Sequence, residues 1–135
     1  MGRDVTLEEL RRRLGDEELN VLDVRSALEF DGTTGASCDP RQGHIPGARN
    51  LPLDQLLEVR SAQEMRRLVG LPEGEEVITY CHSGSRSGFA EQVLRGAGYD
   101  ARNYPGSWHE WSRHVSKEDE DALCGRQLAA SDGGT

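Results

Sequence analysis

The stretch that most limits the fold of this chain is Glu76-Val-Ile-Thr-Tyr80, which runs without a break into Cys81-His-Ser-Gly-Ser-Arg-Ser-Gly88. The first five residues are mostly β-branched or aromatic and read as a buried strand. Beyond the small residues, Phe89, Ala90, Val93, Leu94 and Ala97 recur at helical spacing. A helix is therefore expected over Arg86 to Ala97, with Gly98 as its stop. A strand that enters a helix through so short a loop belongs to a βαβ arrangement and a mainly parallel sheet. Ligands of such sheets gather beyond the carboxyl ends of the strands. Cys81 stands at one such end.

The rest of the chain repeats the alternation. Thr6-Leu-Glu-Glu9 is a capping-box pattern that opens a helix with Leu7, Leu10 and Leu14 on one face. Val21-Leu-Asp-Val24 suits a buried strand, and Ser26-Ala-Leu-Glu29 a brief helical turn after it. Asp31 to Gly43 is rich in Gly, Thr, Ser and Asp and reads as a long loop, of the kind that is often functional or mobile. Asn50 to Leu53 reads as a short edge strand ended by Pro52. Ser61-Ala-Gln-Glu64 starts a helix through Val69. Ala101 to Tyr104 is a further strand, and Ser107 caps a last short helix with Trp108 and Trp111 as core anchors. After Ser116 the sequence is polar and charged, with a weak helical pattern around Ala122 to Leu128. Residues 1–115 are thus expected to form the domain and 116–135 an acidic, mobile tail.

The segment around Cys81 carries a chemical signature. Gly84 permits a sharp turn, and a loop of small residues can aim several amide N–H groups at one anionic centre. The helix N-terminus adds partial positive charge, and Arg86 can add a full one. Each of these favours a thiolate, the reactive form of cysteine. The competing reading is a structural cysteine buried at a strand end. The flanking residues favour the nucleophile. His82 adjoins the cysteine but is expected to point away from the ring, because the backbone lines it.

Composition narrows the class. The 135 residues carry 24 acidic and 16 basic side chains, a net charge of −8, which opposes a general nucleic-acid binder. Cys38, Cys81 and Cys124 are three widely spaced cysteines and form no Cys-x-x-Cys pattern. A disulfide scaffold is not expected, and a reducing, cytoplasmic setting is. No stretch is apolar for long enough to act as a signal peptide or a membrane span. No metal, nucleotide or flavin cofactor is indicated. Cys38 reads as a spare surface thiol, with a sharper alternative as a partner that resolves Cys81.

Cys81-His-Ser-Gly-Ser-Arg86-Ser87 resembles the active-site loop of the rhodanese superfamily. Leu22-Asp-Val-Arg25 and Gly43-His-Ile-Pro-Gly-Ala48 are similar to two further signatures of that family. Arg102-Asn-Tyr-Pro-Gly-Ser-Trp-His-Glu-Trp111 looks like its closing segment, especially in the catalytic half of tandem-domain enzymes. The four matches stand in the family's order from about Asp4 to His114. The resemblance implies a three-layer α/β domain, with a sheet of about five mainly parallel strands and helices on both faces. It also implies sulfur transfer by double displacement, in which Cys81 takes the sulfane sulfur of a donor such as thiosulfate and yields it to a thiol or cyanide acceptor. The loop amides of His82, Ser83, Gly84, Ser85, Arg86 and Ser87 would cradle the persulfide and the substrate, and Arg86 would hold an anionic substrate or brace the loop. Arg25 matches a position that often contacts substrate, its alternative being a salt bridge with Asp23.

Two competitors remain. Cysteine phosphatases and arsenate reductases use a loop one residue longer between cysteine and arginine. The shorter ring suits a sulfur atom better than a tetrahedral oxyanion. A persulfide carrier or regulatory module serving a partner protein would use the same Cys81. Among donors, the acidic Glu29 and Asp31 and the retained Arg86 favour thiosulfate over 3-mercaptopyruvate.

Overall fold

Val21–Asp23 (β1), Arg49–Asn50 (β2), Glu76–Tyr80 (β3) and Asp100–Asn103 (β4) pair in parallel in the order β2-β1-β3-β4. The computed structural model describes residues 3–132, and their side chains as far as residue 124. Chain order and spatial order part company between β1 and β3: the chain leaves β1 toward one edge and returns on its other side. A crevice opens at such a reversal, at the carboxyl ends of the two strands.

The sheet has four strands among the described residues, where about five were expected. Beyond β4, Val5 N–H donates to Asn103 O at 2.8 Å. Thr6 then caps a helix at once by accepting from the Glu9 amide, so no strand can grow there. The edge strand expected to reach Leu53 ends at Asn50. Leu51 N–H and Leu53 N–H still bond to Asp23 O and Val24 O, but Pro52 between them has no N–H to donate and instead starts a helix.

Alternation along β3 builds two cores. Val77 and Cys81 join one cluster and Ile78 and Tyr80 the other, as the two-residue period of a strand requires. The first cluster is closed by Leu53–Leu57 (α3), Ala62–Val69 (α4) and Ser85–Gly96 (α5), through Leu56, Met65, Val69, Ala90 and Leu94. The second is closed by Leu7–Arg13 (α1) and Ser107–His114 (α6), through Leu10, Trp108 and Trp111. Both tryptophans are fully buried and anchor α6, as the sequence implied.

After Ser116 the chain forms a helix, Lys117–Asp132 (α7). Its buried Glu120 accepts from Trp111 Nε1 at 2.8 Å and pairs with Arg41 at 2.7 Å, so α7 begins against the body of the protein. At the end of the sheet away from Cys81, Arg102 and Arg13 bridge Glu9 and Glu76 and tie α1 to β3 and β4. No helix among the described residues is long and apolar enough to cross a membrane.

Candidate active site

β3 delivers Cys81 to the mouth of the crevice and α5 begins four residues later. The sulfur is nearly enclosed, with Cys81 only 1% exposed. Its Sγ does not face hydrocarbon. Gly84 N–H donates to it at 3.1 Å, Ser87 N–H at 3.4 Å and the Ser87 hydroxyl at 3.3 Å. Burial raises the pKa of the thiol. The Ser87 hydroxyl, the Ser87 and Gly84 amides and the Ser83 amide more than offset that, and the net shift is below the ordinary value. The site is therefore enclosed, closely donor-lined and suited to a thiolate.

The loop holds its shape because of what touches it from outside. Gly84 adopts φ +98°, and a Cβ there would lie 2.6 Å from Pro105 O. Only glycine fits both constraints. Thr79 Oγ1 donates to Ser87 O at 2.9 Å, fixing the first turn of α5 to the strand that precedes it. The start of α6 completes the frame. Cys81 N–H donates to Ser107 Oγ at 3.1 Å, Trp108 N–H to Cys81 O at 3.0 Å and His109 N–H to His82 O at 2.9 Å.

Ser107 was expected to cap α6. The residue at that cap is Gly106, and Ser107 instead serves the Cys81 amide, at a left-handed φ of +55° that costs a non-glycine residue energy. Its role could not be read from α6 alone. The Pro105-Gly106-Ser107 turn was the available signal.

The charged residues expected at the site divide. Arg86 is half-exposed and forks onto Glu29, with Nη1 to Oε1 at 2.9 Å and Nη2 to Oε2 at 3.1 Å. This fork, ahead of the bonds from Ser26, holds the Glu29 carboxyl down at about 2 despite partial burial. Arg86 thus braces α5 against Ala27–Phe30 (α2), and the donors that lower the Cys81 pKa come from the loop itself. Glu29, read as a repelling charge, is neutralised by its partner.

Arg25 is 1% exposed, and its guanidinium is bound to the equally buried Asp23 and to Gly43 O. It lies over the faces of Tyr80 and Trp108. The salt bridge with Asp23 is the alternative the structure realises; a guanidinium so enclosed presents no face to substrate. Ser85 opens α5 and lines a shallow cleft of about 300 Å³ with Leu53, Leu57, Arg86 and Phe89. His82 turns away from the ring toward Asp39, with Nε2 3.0 Å from Oδ2.

The 31–43 loop is pinned. Arg113 binds Asp39 Oδ1 and Cys38 O, Arg41 binds Val115 O, and Trp108 Nε1 donates to Arg41 O. Sequence spacing gave no hint that Asp39 would meet His82.

A family model for the rhodanese-like domain matches residues 6–114. The thiosulfate sulfurtransferase of Pseudomonas aeruginosa is 35% identical over 117 residues, covering 81% of this chain and 42% of that protein. The sulfur carrier protein TtuD of Thermus thermophilus is 34% identical over 110 residues, covering 70% of this chain and 39% of the carrier. The chain thus spans about two-fifths of the length of these relatives. A structure of the human single domain sulfurtransferase TSTD1 superposes with a TM-score of 0.61 at 32% identity, over 84% of this chain and 98% of that one.

Two variants test the geometry. Gly84→Ala is expected to lower stability by about 1–3 kcal/mol in urea titration and to slow alkylation of Cys81 at neutral pH; unchanged values in both would refute the constraint at Gly84. A carboxylate whose folded pKa is depressed adds stability above its unfolded value and loses it as pH falls through the folded one. The Glu29–Arg86 link should therefore persist at pH 4 and break near pH 2. Carbon-detected NMR should place the Glu29 titration at about 2. Arg86→Ala should move it up toward 4.5, and a midpoint that does not move would show the fork to be idle.

Proposed function

The chain belongs to the rhodanese family, and from that premise we propose that it transfers sulfane sulfur through a persulfide on Cys81. The observation that carries this reading is the set of donors converging on Sγ: two amides and a hydroxyl within 3.4 Å, in a site closed to bulk water. Such a ring stabilises a thiolate, and it stabilises the anionic terminal sulfur of a persulfide in the same way.

The reaction is a double displacement. The Cys81 thiolate attacks the outer sulfur of thiosulfate, the S–S bond of the donor breaks and sulfite departs with the bonding pair. Cys81 then carries an S–S⁻ group. A thiolate or cyanide acceptor attacks the terminal sulfur, and the Cys81 thiolate is released as leaving group. Its lowered pKa assists both steps, since it supplies the nucleophile and then the leaving group. His82, Ser83, Gly84, Ser85 and Ser87 act through backbone placement and the Ser87 hydroxyl. Arg86 braces the loop through its fork onto Glu29. Arg25 holds the floor of the site through Asp23 and Gly43.

Thiosulfate remains the favoured donor because of the loop pattern and the named relatives. Charge at the mouth contributes little to the choice, since Glu29 and Arg86 cancel. A carrier role is the second reading. It is supported by the likeness to a sulfur carrier protein and by the apolar rim, where Leu57 and Phe89 are each more than half exposed beside Arg86. The three free thiols fit a reducing, cytoplasmic setting.

Incubation with thiosulfate should add one sulfur atom to the intact mass, located on Cys81 by peptide mapping. Cys81→Ser should remove both the adduct and thiosulfate:cyanide turnover; an adduct mapping to Cys38 alone would refute the assignment. Rapid cyanide turnover marks an enzyme, and a stable adduct released only to a protein thiol marks a carrier. The ring makes a separate demand. Alkylation of Cys81 against pH should show a midpoint below that of an ordinary thiol, and Ser87→Ala should raise it; an unshifted midpoint would mean the hydroxyl does not stabilise the thiolate.

A further inference from the structure

On the outer side of the Cys81 loop, four side chains from three separated segments come together: Cys38 and Asp39 of the 31–43 loop, His82 after the nucleophile, and His109 of α6. One donor atom from each lies within 4.8 Å of every other. The His82 and His109 rings meet edge to face with centroids 5.5 Å apart.

Asp39 is the centre of this cluster. Its side chain is wholly buried, yet its Oδ2 has no hydrogen-bond partner among the described residues. The same holds for Nε2 of His82, although the two atoms are 3.0 Å apart. The ring N–H direction misses the oxygen, so proximity here is not a hydrogen bond. Leaving a buried carboxylate oxygen and a buried ring nitrogen unsatisfied against each other is costly. A cation placed between them satisfies both.

We propose that Cys38, Asp39, His82 and His109 form a zinc site. A thiolate, a carboxylate and two imidazoles are the donor set of four-coordinate zinc, and the two anionic ligands match the charge of a divalent ion. Bonds of about 2.0–2.3 Å place tetrahedral donors roughly 3.3–3.8 Å apart. The Asp39 Oδ2–His82 Nε2 pair, 3.0 Å apart, opens by a few tenths of an ångström around the ion, and exposed Cys38 and exposed His109 close in from the present spacing.

The outer carboxylate oxygen is already held. Arg113 Nη1 donates to Asp39 Oδ1 at 2.8 Å and also lies 3.1 Å from His109 Nδ1. Outer contacts of this kind orient ligands. The guanidinium also opposes a cation bound by neutral ligands alone, which makes the Cys38 thiolate necessary to the site. An ion there would join the 31–43 loop, the Cys81 loop and α6 into one unit, one residue from the nucleophile. Sequence reading indicated no metal, because its cue was close ligand spacing, and these ligands are spread over three segments.

The test is independent of sulfur transfer. In a Cys81→Ser/Cys124→Ser background, Cys38 is the remaining thiol. Calorimetric titration with zinc chloride should show one ion per chain. Cobalt(II) in its place should give the absorption of a tetrahedral site with a thiolate charge-transfer band. Cys38→Ser, Asp39→Asn and His109→Ala in that background should each weaken zinc binding at least about tenfold. Cys38 and His109 are exposed, so their variants should keep the melting temperature and separate a lost ligand from a lost fold. Absence of stoichiometric zinc binding in the background protein would overturn the proposal. So would binding left unchanged by both Cys38→Ser and His109→Ala.

Discussion

The proposed chemistry of this protein depends on a contest at one atom. Burial drives the Cys81 sulfur toward the neutral thiol, and the loop amides with the Ser87 hydroxyl drive it toward the thiolate. The donors prevail because they are fixed before any charge arrives. The Cys81 peptide is held on both sides by Ser107 and Trp108, His109 N–H holds His82 O, Thr79 holds Ser87 O, and the absence of a side chain at Gly84 lets the loop close against Pro105. Water would have to reorganise to solvate the same charge; this ring need not.

That rigidity is inherited from the sheet. β3 alternates between two cores, so Cys81 inherits the face of Val77 while Tyr80 locks the opposite one. The tyrosine hydroxyl accepts from Ile45 N–H at 3.0 Å and its ring lies beneath Arg25. The buried Asp23–Arg25 pair then reaches across to Gly43 O, tying the end of β1 to the end of the 31–43 loop. A buried pair of this type is weak as a source of stability. Its value here is positional, since it fixes the neighbouring strand end and the loop that flank Cys81.

The sequence exposed the parts of this arrangement that are local. The strand into Cys81, the amide loop, the helix after it and the capped starts of α1, α2 and α4 all follow from residues adjacent in the chain. So did the core role of both tryptophans. What escaped were pairings made only when distant segments meet. Glu29, beside Asp31, looks like a repelling acid at the mouth until Arg86, 57 residues away, is folded onto it. Ser107 looks like a helix cap until β3 brings the Cys81 amide to it. Asp39 looks like a loop residue until His82, His109 and Arg113 surround it. The count of strands failed for a related reason: Val5 does join β4, but the Thr6 cap ends the extended segment after that single bond.

The pairing of Arg86 with Glu29 changes how the site should be understood. An arginine next to a reactive cysteine invites the view that its charge makes the thiolate. Here the guanidinium is satisfied by a carboxylate, and the pair is close to neutral toward anything arriving from solvent. Under the proposed function, attraction for an anionic donor is strong at short range and weak at long range, because oriented amides fall off in effect faster than a free charge does. Such a mouth selects by fit within the ring more than by steering from a distance. For the proposed reaction, a small donor such as thiosulfate, able to bring its outer sulfur within reach of the Gly84 and Ser87 amides, satisfies that geometry.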